Sequence, residues 1–257
     1  MQASAIDNGT GRIVNTGSGP LALKAATISN TGSIGSNGAM NIDAATLTNA
    51  AQGRITATSD VNMNVSSLLK NEGSISNGGS FTMSQDQSAL VNSGEILSKG
   101  PLKIENSSID NRDGTIATAE GSTSRIDITS GSLKNDAGTI RADGSASAHI
   151  AGDASNAAGY LGSGNTLDLR AGTGINNDSG RIESSGDLSL AGDSLTNRAG
   201  SIVSAGTGQS SLSINRYIAN NGLIGSNGGL TVSADSLTNG TGGHCHRHVR
   251  PGLEGAY

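Results

Sequence analysis

Carboxylates are the residues of this chain with the clearest potential for chemistry. Two pairs lie close in sequence, Asp110 with Asp113 and Asp187 with Asp193. Paired carboxylates act as general acid and as base or nucleophile in glycoside hydrolysis when their surroundings tune them apart. Neither pair has a histidine or a basic residue at the equivalent place of a neighbouring repeat. Most other aspartates stand singly beside Gly or Asn, where Asp is a turn former. The second group is the segment HCHRHVRPGLEGAY from His244. Its His244, Cys245, His246 and His248 are zinc-ligand types, yet near-adjacent residues in a tail offer no preformed tetrahedron. A third, GSGNTLDL from Gly162, loosely echoes a calcium-binding nonapeptide that works only in tandem. The expectation is no catalytic residue, no metal and no cofactor.

The residue that does recur is asparagine. Asn8, Asn30, Asn49, Asn71, Asn92, Asn111, Asn135, Asn156, Asn177, Asn197, Asn220 and Asn239 follow one another at intervals of 19 to 24 residues. An aliphatic stands two positions before each (Ile6, Ile28, Leu47, Leu69, Leu90, Ile109, Leu133, Ile175, Leu195, Ile218, Leu237), with Ala154 the weak copy. A second aliphatic follows in the next short segment, from Ile13 and Ile34 to Ile202 and Ile224. A third segment alternates, as in Leu21 and Leu23 or Leu188 and Leu190.

Alternation with period two puts one face of a segment inward, as in a strand. Each unit of about 21 residues therefore holds three short strands separated by Gly, Asn, Asp and Ser corners. A unit that small cannot bury its own aliphatic face, so identical units must stack. The expected fold is all-β: a parallel β-helix (β-solenoid) of about 11 coils, its crossovers right-handed. At ~4.8 Å per coil it makes a rod roughly 50 Å long. Equivalent asparagines stacked in such a rod would hydrogen-bond through their amides as a structural ladder. The longer stretches from Ile116 to Ile126 and from Ile202 to Leu212 read as bulged corners.

Composition agrees. Gly accounts for 39 of 257 residues, and the aromatics are only Phe81, Tyr160, Tyr217 and Tyr257. The core must then be a thin one of Ile, Leu, Val and Ala. Only three prolines interrupt backbone donation. A net charge of −5 with no basic stripe argues against nucleic acid as a partner. No apolar stretch approaches the ~20 residues of a membrane-spanning helix, and the start MQASAIDNGTG lacks a signal-peptide pattern.

The pattern L-x-N-x-x-G-x-I-x-S-x-G-x-L-x-L, as in INNDSGRIESSGDLSL from Ile175 and LTNRAGSIVSAG from Leu195, resembles the filamentous haemagglutinin repeat over residues 6–243. That resemblance implies a right-handed parallel β-helix in a large two-partner-secretion exoprotein. Such a protein is an adhesin or the toxin-delivery stalk of a contact-dependent inhibition system. It also implies export through an outer-membrane transporter, a place outside the cell or on its surface, and a host or neighbouring bacterial cell, with its glycans, as the partner. No secretion domain, toxin or catalytic residue carries over. Residues 1–5 then form a truncated start, 6–243 the repeats, and 244–257 a frameshifted or disordered tail. The expected function is a non-enzymatic stalk segment. The alternative is a direct glycan- or receptor-binding module, and behind it a glycan-degrading enzyme or a gene remnant. In such a stack Ile182→Asp breaks the coil, whereas changes at Ser184 or Ser185 do little.

Overall fold

The computed structural model describes residues 1–247. Among them every named element is a strand, and every strand pairing is parallel. The units stack as a β-solenoid of about 11 turns with a repeat near 21 residues, the spacing set by the recurring side chains.

Each coil has three sides. One is the 12-stranded sheet running from Arg12–Asn15 through Arg181–Ser184 to His244–Arg247. The other two belong to an 18-stranded sheet that turns a corner. In the middle of the rod that corner breaks the strand in two, as in Leu102–Asn106 and Ser108–Asp110. Elsewhere one strand bends round it, as in Met40–Asn49 and Leu188–Asn197. Register slips between Ala44 and Thr46 and between Gly192 and Ser194 absorb coils of unequal length.

Register follows the aliphatic pattern. Ile34, Ile55, Ile75, Ile96, Ile116 and Ile140 stack directly, each inaccessible to solvent. Leu161, Ile182, Ile202 and Ile224 continue the column. Cys245 takes the same register position beyond Ile224. Phe81 fits between Val61 and Leu102 as the single buried aromatic among the described residues. Leu237 is 47% exposed because it lies in the last strand of its sheet among the described residues.

Two edges of the repeat behave differently from their composition. Residues 1–5 already belong to the stack: Gln2 bridges Lys24, and Ala3 N–H donates to the Lys24 carbonyl at 3.0 Å. His244–Arg247 pairs with Leu223–Ser226 although its sequence no longer follows the repeat. The backbone edge of the preceding strand is template enough. The remainder of the tail, including His248, lies outside the described residues.

The corners after the asparagines bring the backbones of successive coils close together. At Gly138 a Cβ would lie 2.0 Å from the Asn111 carbonyl oxygen of the coil below. A Cβ at Gly94, Gly159 or Gly180 would likewise lie 2.1, 2.0 or 2.0 Å from a backbone oxygen of the preceding coil. Backbone cannot step aside as a side-chain tip can, so Gly138→Ala must part the coils. The expected cost is about 3 kcal/mol, read as a lowered midpoint in urea.

Immediately before Gly114, Gly138, Gly159, Gly180 and Gly200, five successive coils hold a non-glycine residue in the left-handed region: Asp113, Ala137, Ala158, Ser179 and Ala199, with φ between 53° and 61°. Only the absence of a Cβ relieves that conformation fully. Ala137→Gly is expected to stabilise the chain by roughly 0.5 kcal/mol, after the unfolded-state entropy that glycine adds. A fall in melting temperature would contradict the left-handed assignment.

Candidate functional site

The structure brings all twelve recurring asparagines into one file. Each stands at a strand end, where the chain leaves the 18-stranded sheet. Eleven amide-to-amide hydrogen bonds join them, from Asn8 Nδ2 donating to Asn30 Oδ1 through to Asn220 Nδ2 donating to Asn239 Oδ1, all at 2.7 or 2.8 Å. Every donor points to the following coil, so the file has a direction, and hydrogen bonds in line polarise one another.

Each amide also serves the corner. Asn111 Nδ2 faces the Gly114 carbonyl at 3.2 Å and the Thr139 carbonyl of the next coil at 3.1 Å, besides Asn135 Oδ1 at 2.7 Å. The same triple contact recurs at Asn135, Asn156 and Asn177. The corner carbonyls so contacted also accept a backbone N–H of the next coil, as the Gly114 carbonyl does from Thr139 at 2.8 Å, and the amide supplies a second donor. Inner members of the file are buried, Asn111 and Asn177 completely. That burial leaves no room for a ligand along the file.

A second inward column went unassigned in the sequence reading. Ser36, Ser98, Thr118, Ser163, Ser184, Ser204 and Ser226 end the strands of the 12-stranded sheet and are buried. Their hydroxyls close the next corner: Ser184 Oγ and Ser204 Oγ both donate to the Gly186 carbonyl at 2.8 Å, and Ser98 Oγ to the Gly79 carbonyl at 2.8 Å. The expectation that Ser184 is dispensable is therefore corrected. Its position two after Ile182 points it inward, and the S of I-x-S-x-G was the available signal. Ser185 is exposed.

Of the candidate carboxylates, Asp110 and Asp113 border one open hollow with Arg112. Asp110 is held by Arg112, whose Nε and Nη2 donate at 2.8 and 2.6 Å. Asp193 accepts from Asn215 at 2.7 Å, whereas Asp187 lies against Gly208. Among the described residues, no group of three or more His, Cys, Asp or Glu has metal-binding geometry.

Exposed ion pairs decorate the outer faces. The Arg112 hydrogen bonds hold the Asp110 carboxyl below the usual range. Ser84 and Lys103 lower Glu105. At Asp168 partial burial opposes ionisation, but hydrogen bonds from Arg170, His149 and Ser189 outweigh it, and the net shift is downward. Depressed carboxyls stabilise the fold above their unfolded values of about 4 and lose that contribution as pH falls through the lower folded values. A melting temperature level above about pH 5 and declining below about pH 4 is expected. Asp110→Asn should shrink the decline; no change would mean the Arg112 contact is absent in solution.

Two outer features stand apart from the repeat. The long corner between Thr115–Thr118 and Ile126–Ser130 carries left-handed Gly121 and Thr123. It borders an open hollow of about 690 Å³ lined by Ser122, Thr123, Ser124, Arg125, Asp143 and Asn165 among others. Asp143 ties the corner down, accepting from Thr123 N–H at 2.8 Å. Nearby, Tyr160 lies along its own strand over Gly162, where a Cβ would come within 2.3 Å of the phenol oxygen. The Arg181 guanidinium sits 6.0 Å from the ring centroid. Burial and the Glu183 charge raise the Tyr160 phenol above its ordinary value.

The haemagglutinin repeat model matches residues 16–85, 79–153, 128–207 and 207–244, a continuous span. The chain belongs to the haemagglutinin repeat family. That is a structural, adhesin-type family, and a repeat solenoid of this kind fits the stalk of a filamentous haemagglutinin-like adhesin. Comparisons with curated proteins and with solved structures each found no match. Among the described residues, no helix is long and apolar enough to cross a membrane.

Proposed function

We propose that this chain is a non-enzymatic stalk segment of a secreted bacterial surface adhesin, whose work is reach. The observation that carries the reading is the unbroken stack. One column of aliphatic side chains and one file of asparagines run through every coil without a gap, so the coils resist sliding and bending together. Membership of the haemagglutinin repeat family supports a location on or outside the cell surface and an outer-membrane transporter as partner. Coils that depend chiefly on their neighbours suit emergence as an unfolded strand and folding from one end. At its far end the stalk would present a binding or toxin domain to a host or neighbouring bacterial cell. The twelve asparagines act structurally, holding coil to coil.

The purified chain on beads tests this reading. A stalk gives no saturable attachment to epithelial or bacterial cells, yet moves a fused binding domain outward by roughly 50 Å. Saturable attachment by the bare chain would contradict it.

Direct binding of a glycan or receptor is the second reading, and the hollow beside Arg125 favours it. Hydroxyls, one guanidinium and one carboxylate converge there on the only corner among the described ones to hold two left-handed residues in sequence neighbourhood, Gly121 and Thr123. Attachment abolished by Arg125→Ala and Asn165→Ala, with the fold intact, would establish it in place of the pure stalk.

A further inference from the structure

The core of the rod is not equally thick along its length. In the coil formed by Thr139–Ala142, Ala146–Ile150 and Ala154–Ser155, alanine occupies positions that neighbouring coils fill with leucine or isoleucine. Ala146 lies between Ile126 and Leu167, Ala148 between Ile128 and Leu169, and Ala154 between Leu133 and Ile175. Each alanine presents three carbons fewer to the coils above and below. Dispersion and burial fall with every missing contact.

The backbone is also least supported there. Leu133–Lys134 and Ala154–Ser155 are strands of two residues, where Ala89–Asn92 has four and Gln209–Asn220 twelve. Corners with left-handed alanines, Ala137 and Ala158, stand before and after the coil's contribution to this stack. What crosses the coil intact is the single column Ile116–Ile140–Leu161 on the 12-stranded side and the asparagine file, Asn135 to Asn156 to Asn177 at 2.7 and 2.8 Å. Surface contacts add Ala157 N–H to Asp136 at 3.0 Å and His149 to Asp168 at 3.3 Å. Exposed pairs of that kind contribute little.

We infer that this coil, from Thr139 to Asn156, is an internal yield point that divides the rod into two blocks. In a stack whose stability is a sum of coil and neighbour terms, opening starts where those terms are smallest. End coils of any solenoid fray. A weak coil in the interior additionally lets the rod part in the middle under heat, denaturant or axial load, while the aliphatic cores on either side stay closed. The inference concerns the mechanics of this chain and holds whether it serves as a stalk or as a binding module.

Native-state hydrogen exchange of the full chain, followed by mass spectrometry, tests it. Amides of Ala146–Ile150 are expected to exchange at least tenfold faster than those of Met40–Ala44 and Leu188–Ala191, which have the same parallel pairing. Uniform protection, or protection rising steadily from both ends to a maximum at the centre, would overturn the inference. Ala148→Val and, separately, Ala154→Val supply the cause. Each should slow exchange of this coil by threefold or more, and a folded variant with unchanged exchange would overturn the assignment to the thin core. Should neither variant fold, the profile of the unaltered chain still decides.

Discussion

Ile182→Asp is expected to destabilise the chain by roughly 5 kcal/mol, through loss of a buried isoleucine and burial of a carboxylate without a partner. Ile182 is inaccessible to solvent and sits in register between Leu161 and Ile202, so no rearrangement of one side chain brings water to the new charge. Ser184→Ala, two residues on, removes the hydrogen bond to Gly186 and is expected to cost about 1 kcal/mol. Ser185→Ala on the exposed side should cost nothing measurable. The graded series is read from urea midpoints. Equal effects at the three positions would mean that the inward register of this strand is wrong.

Asn111→Leu is the second large effect. Leucine matches the asparagine in shape but neither donates nor accepts, so Asn135 Oδ1 loses its buried donor, Asn92 Nδ2 loses its amide acceptor, and the Gly114 and Thr139 carbonyls each lose a contact. The Gly114 carbonyl keeps the Thr139 N–H at 2.8 Å, so the cost lies in the two broken amide links, at about 1–3 kcal/mol each and roughly 2–6 kcal/mol together. Asn41→Leu is the control. Asn41 also accepts from an asparagine one coil on, Asn62 at 3.0 Å, but on the outer face where water replaces the bond. Its loss should cost under about 1 kcal/mol. A similar cost at both sites would show that the inner file is no more than a decoration of the corners.

Much of this architecture is legible in the residues, and the illegible parts share a cause. Period-two aliphatics reveal strands because a sheet with one buried face must alternate, and the Ile column from Ile34 to Ile224 is continuous enough to set the register. The asparagines are visible through recurrence alone. Their three acceptors are not, because Gly114 and Thr139 are chosen by the path of the backbone. Ser184 reads as a turn former, since serine at a strand end is usually that, and only the parity of its position against Ile182 reveals the buried hydroxyl. His244–Arg247 carries no repeat signature, as its strand is imposed by the edge of Leu223–Ser226. Ala146 and Ala148 hide within ASAHI, where small residues alternate as larger ones do but bury less. The pairing of Asp110 with Arg112 depends on how the corner turns the two side chains together, which their spacing of two residues leaves open.

The distance between two distant coils tests the stacked rod most directly. Asn41 and Ser211 occupy the same outer row, linked through Asn62, Thr82, Lys103, Asp127, Ser147, Asp168 and Ser189. Spin labels at Asn41→Cys and Ser211→Cys, with Cys245→Ser to remove the native thiol, can be measured by double electron–electron resonance. Eight steps of ~4.8 Å predict a single narrow distribution near ~38 Å. A broad distribution, or a narrow one far from that length, would contradict a continuous parallel stack.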